Sequence, residues 1–141
     1  MKIDEANIDQ YRAGTYSDIF ELRWYVKPLD PKVLSNFPNL QRLVCKGIGL
    51  TTLKGIEACP QLTELDCSNN DLKTLADIGC CLPLLKLRCC SNRITDINGL
   101  GHIPTLEELD CSNNQIRTLD GIERFPKLYV LFYDGNPLDQ L

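Results

Sequence analysis

The run Leu65-Asp66-Cys67-Ser68-Asn69-Asn70 returns as Leu109-Asp110-Cys111-Ser112-Asn113-Asn114, and a weaker copy, Leu87-Arg88-Cys89-Cys90-Ser91-Asn92, stands midway between them. Each step is 22 residues. Carried outwards, the frame gives units that begin at Leu40, Leu62, Leu84, Leu106 and Leu128, with a degenerate unit, one residue short, near Ile19. A fixed period of this length constrains the fold more than any other feature. One unit is too short to close a core, so the units must stack and bury a continuous one.

Within a unit the first positions read L-x-x-L-x-[L/C]-x-x-N-x-[L/I], as in Leu106, Leu109, Cys111, Asn114 and Ile116. Around Leu109 and Cys111 apolar residues alternate, which predicts a strand with one buried face. The later spacing of three, Ile116-Leu119-Ile122-Phe125, suits a 3₁₀ turn or short helix that returns the chain. Stacked strands at ~4.8 Å would form a parallel sheet.

This pattern resembles the leucine-rich repeat family in its short 22-residue intracellular form, over roughly residues 19–141. The resemblance implies an α/β solenoid. This would be a right-handed superhelix with a parallel concave sheet and a convex side of 3₁₀ turns, short helices and loops. It also implies one domain over residues 1–141, with 1–18 as an N-terminal capping segment. The segments Gly55-Ile56, Gly99-Leu100 and Gly121-Ile122 are similar to those of a protein phosphatase 1 regulator and an axonemal dynein light chain. The function implied is a non-catalytic scaffold for protein–protein interaction, with a protein partner and no cofactor. Two alternatives accompany it: a regulatory subunit of a protein phosphatase, and an extracellular adhesion or receptor domain.

Asn70, Asn92, Asn114 and Asn136 recur at the ninth position. An amide both donates and accepts, so at a buried bend it can satisfy backbone groups that no ladder reaches. These four are predicted to be a structural stack, not ligands. Ile48 holds the equivalent place between Gly47 and Gly49, which predicts a different turn there. The prolines Pro60, Pro104 and Pro126 sit two residues before the next leucine, but Pro83 sits one place later. That shift leaves open whether Leu84 or Leu85 points inwards.

The ends require covering. Asp4 to Arg12 reads as a short helix with Asp4 as N-cap, Gly14 as terminator and Ile8 and Tyr11 on one face. Ser17 to Val26 reads as the first strand, stopped by Pro28 and Pro31. Gly135-Asn136-Pro137-Leu138 resembles a final repeat of the family, and with Leu141 three residues on, that end is expected to lack a cap.

The chain has eight cysteines among 141 residues, a density that in a secreted protein would suggest disulfides. Their positions argue otherwise. Cys45, Cys67, Cys89 and Cys111 all fall at the sixth position and predict an inward column of small apolar side chains. Cys59, and Cys81 or its neighbour, also fall inwards, whereas Cys80 and Cys90 are expected to face out. No standard zinc spacing appears, so no metal site is expected. The only histidine, His102, is expected in an exposed loop, and no nucleophile elbow or phosphate loop appears. No catalytic residue is therefore assigned. The start, Met1-Lys2-Ile3-Asp4-Glu5, places acids where a secretory signal needs apolar residues, which leads to the expectation of a cytoplasmic protein. No apolar run reaches membrane-spanning length, and the net charge of −4 runs against a nucleic-acid partner.

The candidate binding residues flank the inward leucines. Down the third position run Glu21, Arg42, Glu64, Lys86, Glu108 and Val130, and down the fifth Arg23, Val44, Asp66, Arg88, Asp110 and Phe132. Lys86 falls between Glu64 and Glu108, and Arg88 between Asp66 and Asp110. Either this is a ladder that keeps like charges apart, or it is a docking face. Phe20, Trp24 and Tyr25 lie in the first strand, with Trp24 inwards. At the other end Tyr133 takes the place of the inward cysteine, while Tyr129, Val130 and Phe132 should face solvent. That edge is a second candidate site and a possible homodimer contact.

Overall fold

The computed structural model describes residues 1–79, 83–101 and 103–138. The readings of Cys80, Cys81, His102 and Leu141 lie outside the described residues. Among the described residues seven strands form one sheet: β1 (Lys2–Ile3), β2 (Glu21–Trp24), β3 (Arg42–Val44), β4 (Glu64–Asp66), β5 (Lys86–Arg88), β6 (Glu108–Asp110) and β7 (Val130–Phe132). They are parallel and stack in chain order, one strand per coil. Leu22, Leu43, Leu65, Leu87, Leu109 and Leu131 lie opposite one another, so the register is the one the repeat frame dictates. All but Leu131 are essentially inaccessible.

The returns are mostly 3₁₀. The sole α-helix among the described residues is α1 (Pro31–Leu34), where proline opens the first turn and the Asp30 side chain accepts from Lys32 N at 3.0 Å. The four later returns are 3₁₀ turns at Ile56–Ala58, Ala76–Ile78, Asn98–Leu100 and Ile122–Arg124. They come in two phases. Gly55 and Gly121, at φ 107° and 97°, open the first and last of these. In the middle two, the turn starts two residues earlier in the frame, where Thr74 Oγ1 accepts from Ala76 N and Asp96 Oδ1 from Asn98 N. Gly99, grouped by sequence with Gly55 and Gly121, therefore lies inside its turn without a positive φ. The same cap recurs at Thr52 and Thr118, whose Oγ1 atoms accept from Lys54 N and Asp120 N, so the two phases are separated instead by the left-handed glycine that opens the turn at Gly55 and Gly121.

The N-terminal cap differs from its prediction. Residues 2–3 form β1, so the strand predicted within Ser17–Val26 is the second of the sheet and narrows to Glu21–Trp24. Arg23 N and Tyr25 N donate to Met1 O and Ile3 O, each at 2.8 Å. Asp4 does cap: its Oδ1 accepts from Ala6 N and Asn7 N, while Asn7 Oδ1 accepts from Asp4 N. The chain then makes one 3₁₀ turn, Ile8–Tyr11, rather than a helix from Asp4 to Arg12. Tyr11 and Tyr16 pack on each other and on Phe37, with ring centroids 5.2–5.9 Å apart, and this cluster holds the cap to the first coil.

Leu84 is the inward residue of the irregular unit and Leu85 is half-buried, which resolves the ambiguity at Pro83. Trp24 heads the cysteine column, fully buried, with its indole N–H donating to Val26 O. The column ends differently. Tyr133 occupies the sixth position of the last unit but is 43% exposed, so it does not replace the buried cysteine as predicted. Among the described residues no coil lies beyond β7 to cover it.

Candidate protein-interaction face

The asparagine stack is a continuous polar ladder behind the sheet. Asn70, Asn92 and Asn114 are buried and Asn136 is half-buried. Each amide nitrogen donates to a cysteine carbonyl of its own coil and of the preceding coil, except that Asn136 uses Tyr133 O within its own. The carbonyls of Cys67, Cys89 and Cys111 are thus each held between two amides, at 2.9–3.1 Å. Each Oδ1 accepts a backbone N–H of the previous coil: Leu50 for Asn70, Leu72 for Asn92, Ile94 for Asn114 and Ile116 for Asn136. These amides are fully occupied by backbone and present nothing to a ligand.

The turn that aims them has a signature the repeat frame did not flag. Asn69, Ser91 and Asn113 adopt φ 55–57°, and Gly47 and Gly135 share that conformation at the same frame position. Asparagine tolerates the left-handed region better than most residues. The turn at Ile48 is therefore like the others at Gly47, and differs only at Gly49, which adds a second positive φ of 74°.

The cysteine column is a thiol ladder. Cys45, Cys67, Cys89 and Cys111 are fully buried, and Cys59 nearly so. Cys67, Cys89 and Cys111 donate from Sγ to Arg88 O, Asp110 O and Phe132 O at 3.3–3.5 Å. Burial pushes Cys45 and Cys59 up to about 12 and Cys111 up to about 11, and raises Cys67 and Cys89 well above the ordinary thiol value. Thiols so held are poor nucleophiles and poor metal ligands. Cys90, expected to face out, is half-buried. Among the described residues no group of three or more histidine, cysteine or acidic side chains is arranged to hold a metal ion, and no helix is long and apolar enough to cross a membrane.

The outer face of the sheet brings the candidate residues together in the order the repeat frame predicts. Glu64, Lys86 and Glu108 lie side by side, as do Asp66, Arg88 and Asp110. On β4, β5 and β6 side chains three and five share a sign, so this part of the face is banded by strand. The β4 band is acidic, β5 basic and β6 acidic, and β7 presents Val130 and Phe132. The pairing within it is uneven. Arg42 reaches Glu21 at 2.7 Å and Glu64 at 3.4 Å. Lys86 and Arg88 make no ion pair within 4 Å among the described residues, although both have acids on either side. Asp66 and Asp110 instead turn an oxygen to the backbone N–H of Ser68 and Ser112. Lys86, Arg88, Glu108, Asp110 and Phe132 rim a shallow depression of about 40 Å³. Phe132 is 54% exposed there and Tyr129 70% exposed beside it.

One strand per coil, a 3₁₀ return and an asparagine ladder define a repeat solenoid. The chain belongs to the leucine-rich repeat family: the family model for leucine-rich repeats in two copies matches residues 32–79 and 84–124. Domains of this family generally mediate protein–protein interaction and are typically non-catalytic. No curated protein shows a significant sequence match. Among solved structures the chain is similar to the leucine-rich repeat domain of APL1, with 23% identity and a TM-score of 0.68 over 99% of this chain and 48% of that one. It is also similar to the corresponding domain of APL1B, with 18% identity and a TM-score of 0.60 over 99% of this chain and 54% of that one. The chain therefore spans about half the length of these structures, and the likeness is one of fold.

Proposed function

We propose that the protein is a non-catalytic interaction scaffold that binds a partner protein through the C-terminal half of its concave face, at Glu64, Asp66, Lys86, Arg88, Glu108, Asp110 and Phe132. One observation carries this reading. On the same sheet, Arg42 is engaged by its acidic neighbours while Lys86 and Arg88 are not. A ladder that served only to neutralise the sheet would pair all three. Two cations held between acids and beside a half-exposed aromatic ring are groups from which a partner can gain charge-assisted contacts and apolar burial together.

The test is affinity capture with identification of bound proteins, comparing the wild type, Lys86→Glu/Arg88→Glu and Lys54→Glu on the return side. Expected is that the double variant loses its specific partners by at least roughly tenfold while Lys54→Glu keeps them. Equal capture by all three would sink the reading. Whether a partner is a phosphatase catalytic subunit, as the likeness to the phosphatase regulator suggests, is read from the same capture. A reducing, cytoplasmic setting is part of this proposal, supported by the cysteine column, whose sulfurs act as thiol donors.

A second reading is favoured by the exposure of Tyr129 and Tyr133 over half-buried Leu128 and Leu131. In it, a second copy of the chain packs on the β7 end. Sedimentation should then show association with rising concentration that Tyr129→Glu/Tyr133→Glu removes. A monomer at every concentration excludes it.

A further inference from the structure

We infer that the partner segment taken by this face is an α-helix whose successive turns present a basic, an acidic, a basic and an apolar side chain. The inference rests on the reading of the concave face as the docking site and names its occupant. Two observations carry it, the bands and their spacing. From β4 to β7 the bands run acidic, basic, acidic and apolar, one strand each. Adjacent strands lie ~4.8 Å apart. A helix rises ~5.4 Å per turn, so a helix lying across the strands drifts only ~2 Å out of step over three intervals. Long flexible side chains absorb that. An extended peptide repeats every second residue at ~6.7 Å and drifts ~6 Å over the same distance, more than one whole band. Only the helix keeps each of its turns over one strand.

The complementary ridge follows from helical spacing. Side chains at i, i+4, i+7 and i+11 lie along one face. The base at i meets Glu64 and Asp66, the acid at i+4 meets Lys86 and Arg88, the base at i+7 meets Glu108 and Asp110, and the apolar residue at i+11 meets Phe132. A helix of opposite direction carries the same order reversed. Such a ridge supplies Lys86 and Arg88 with the anion they lack. A helix with the opposite signs would set like charges against three bands in succession, so the banding also selects against wrong partners.

The probe is a fluorescent synthetic peptide of about five helical turns carrying Lys, Glu, Lys and Leu at those positions on an alanine-rich background, together with its reversed-order counterpart. Anisotropy titrations are expected to show saturable binding of one order, weakened at least roughly tenfold by Lys86→Glu/Arg88→Glu. Changing the central Glu of the peptide to Lys should restore binding to that variant and weaken binding to the wild type. A peptide of the same composition broken by two central prolines separates this inference from the one beneath it. If it binds as well as the helical one, the occupant is not a helix and the face remains a docking site. If neither order binds, the helix is excluded, and the docking face stands or falls by the capture experiment.

Discussion

Asn92→Ala lowers the midpoint of urea unfolding by about 1–2 M, a loss of about 3 kcal/mol at ordinary denaturant sensitivity. The size follows from what the amide holds. Its nitrogen donates to the carbonyls of Cys67, Cys89 and Cys90, and its oxygen accepts from Leu72 N at 3.0 Å. The carbonyls keep a second partner: Asn70 for Cys67, Asn114 for Cys89 and Asn69 N for Cys90. Leu72 N does not. The variant thus forfeits three net hydrogen bonds and strands one buried N–H, besides opening a small cavity. Asn136→Ala should cost distinctly less, because its amide is half-buried and water can take over. An unchanged midpoint for Asn92→Ala, or a larger loss at Asn136, would remove the ladder as a source of stability.

The protein is also expected to unfold cooperatively in alkali. Cys45, Cys59, Cys67, Cys89 and Cys111 all bind their protons more tightly folded than unfolded, because burial disfavours the thiolate. Their stabilising contribution is complete below the unfolded value near pH 9 and is lost as pH rises from there towards 11–12. Each thiol costs about 1 kcal/mol per pH unit in that window, so the five together remove on the order of 5 kcal/mol by pH 10. That is a large part of the stability of an ordinary domain. Circular dichroism followed from pH 8 to 11 should show a steep transition, and Cys67→Val/Cys89→Val should move it to higher pH. At pH 8 the five core thiols should react with a thiol reagent far more slowly than Cys90. Stability that stays flat from pH 8.5 to 10.5 would show that the column titrates alike in both states.

Much of this architecture is legible in the sequence because a repeat multiplies weak signals. The strand register, the inward leucines, the cysteine column and the asparagine stack each appear several times in one frame, and all stand in the structure where the frame puts them. What the frame misses is what occurs once or depends on one side chain. β1 is two residues long, too short for any alternation to reveal. The two phases of the returns differ in whether a glycine at positive φ opens the turn, as Gly55 and Gly121 do and Gly99 does not, which the apolar spacing of three does not register. Tyr133 follows the frame in position but not in burial, since burial in a stack is conferred by the next coil rather than by the residue itself. For the proposed binding face, the frame names the candidate residues and their neighbours along the sheet. The band of like charge on each of β4, β5 and β6 follows from the register, but the difference between a satisfied Arg42 and the unpaired Lys86 and Arg88 needs side-chain geometry.

The asparagine ladder also carries a direction. Cys45 O receives its amide from Asn70, 25 residues further on, and Leu50 N finds its acceptor on the same side chain. The same holds at each later step: Asn92 for Cys67 and Leu72, Asn114 for Cys89 and Ile94, Asn136 for Cys111 and Ile116. Each of these four coils is completed by the one made after it. On the ribosome, a coil that has just emerged therefore holds open backbone groups until roughly one more repeat has followed it out, and folding trails synthesis by about one coil. A pause in translation exposes the same kind of unfinished rim wherever it falls along the solenoid.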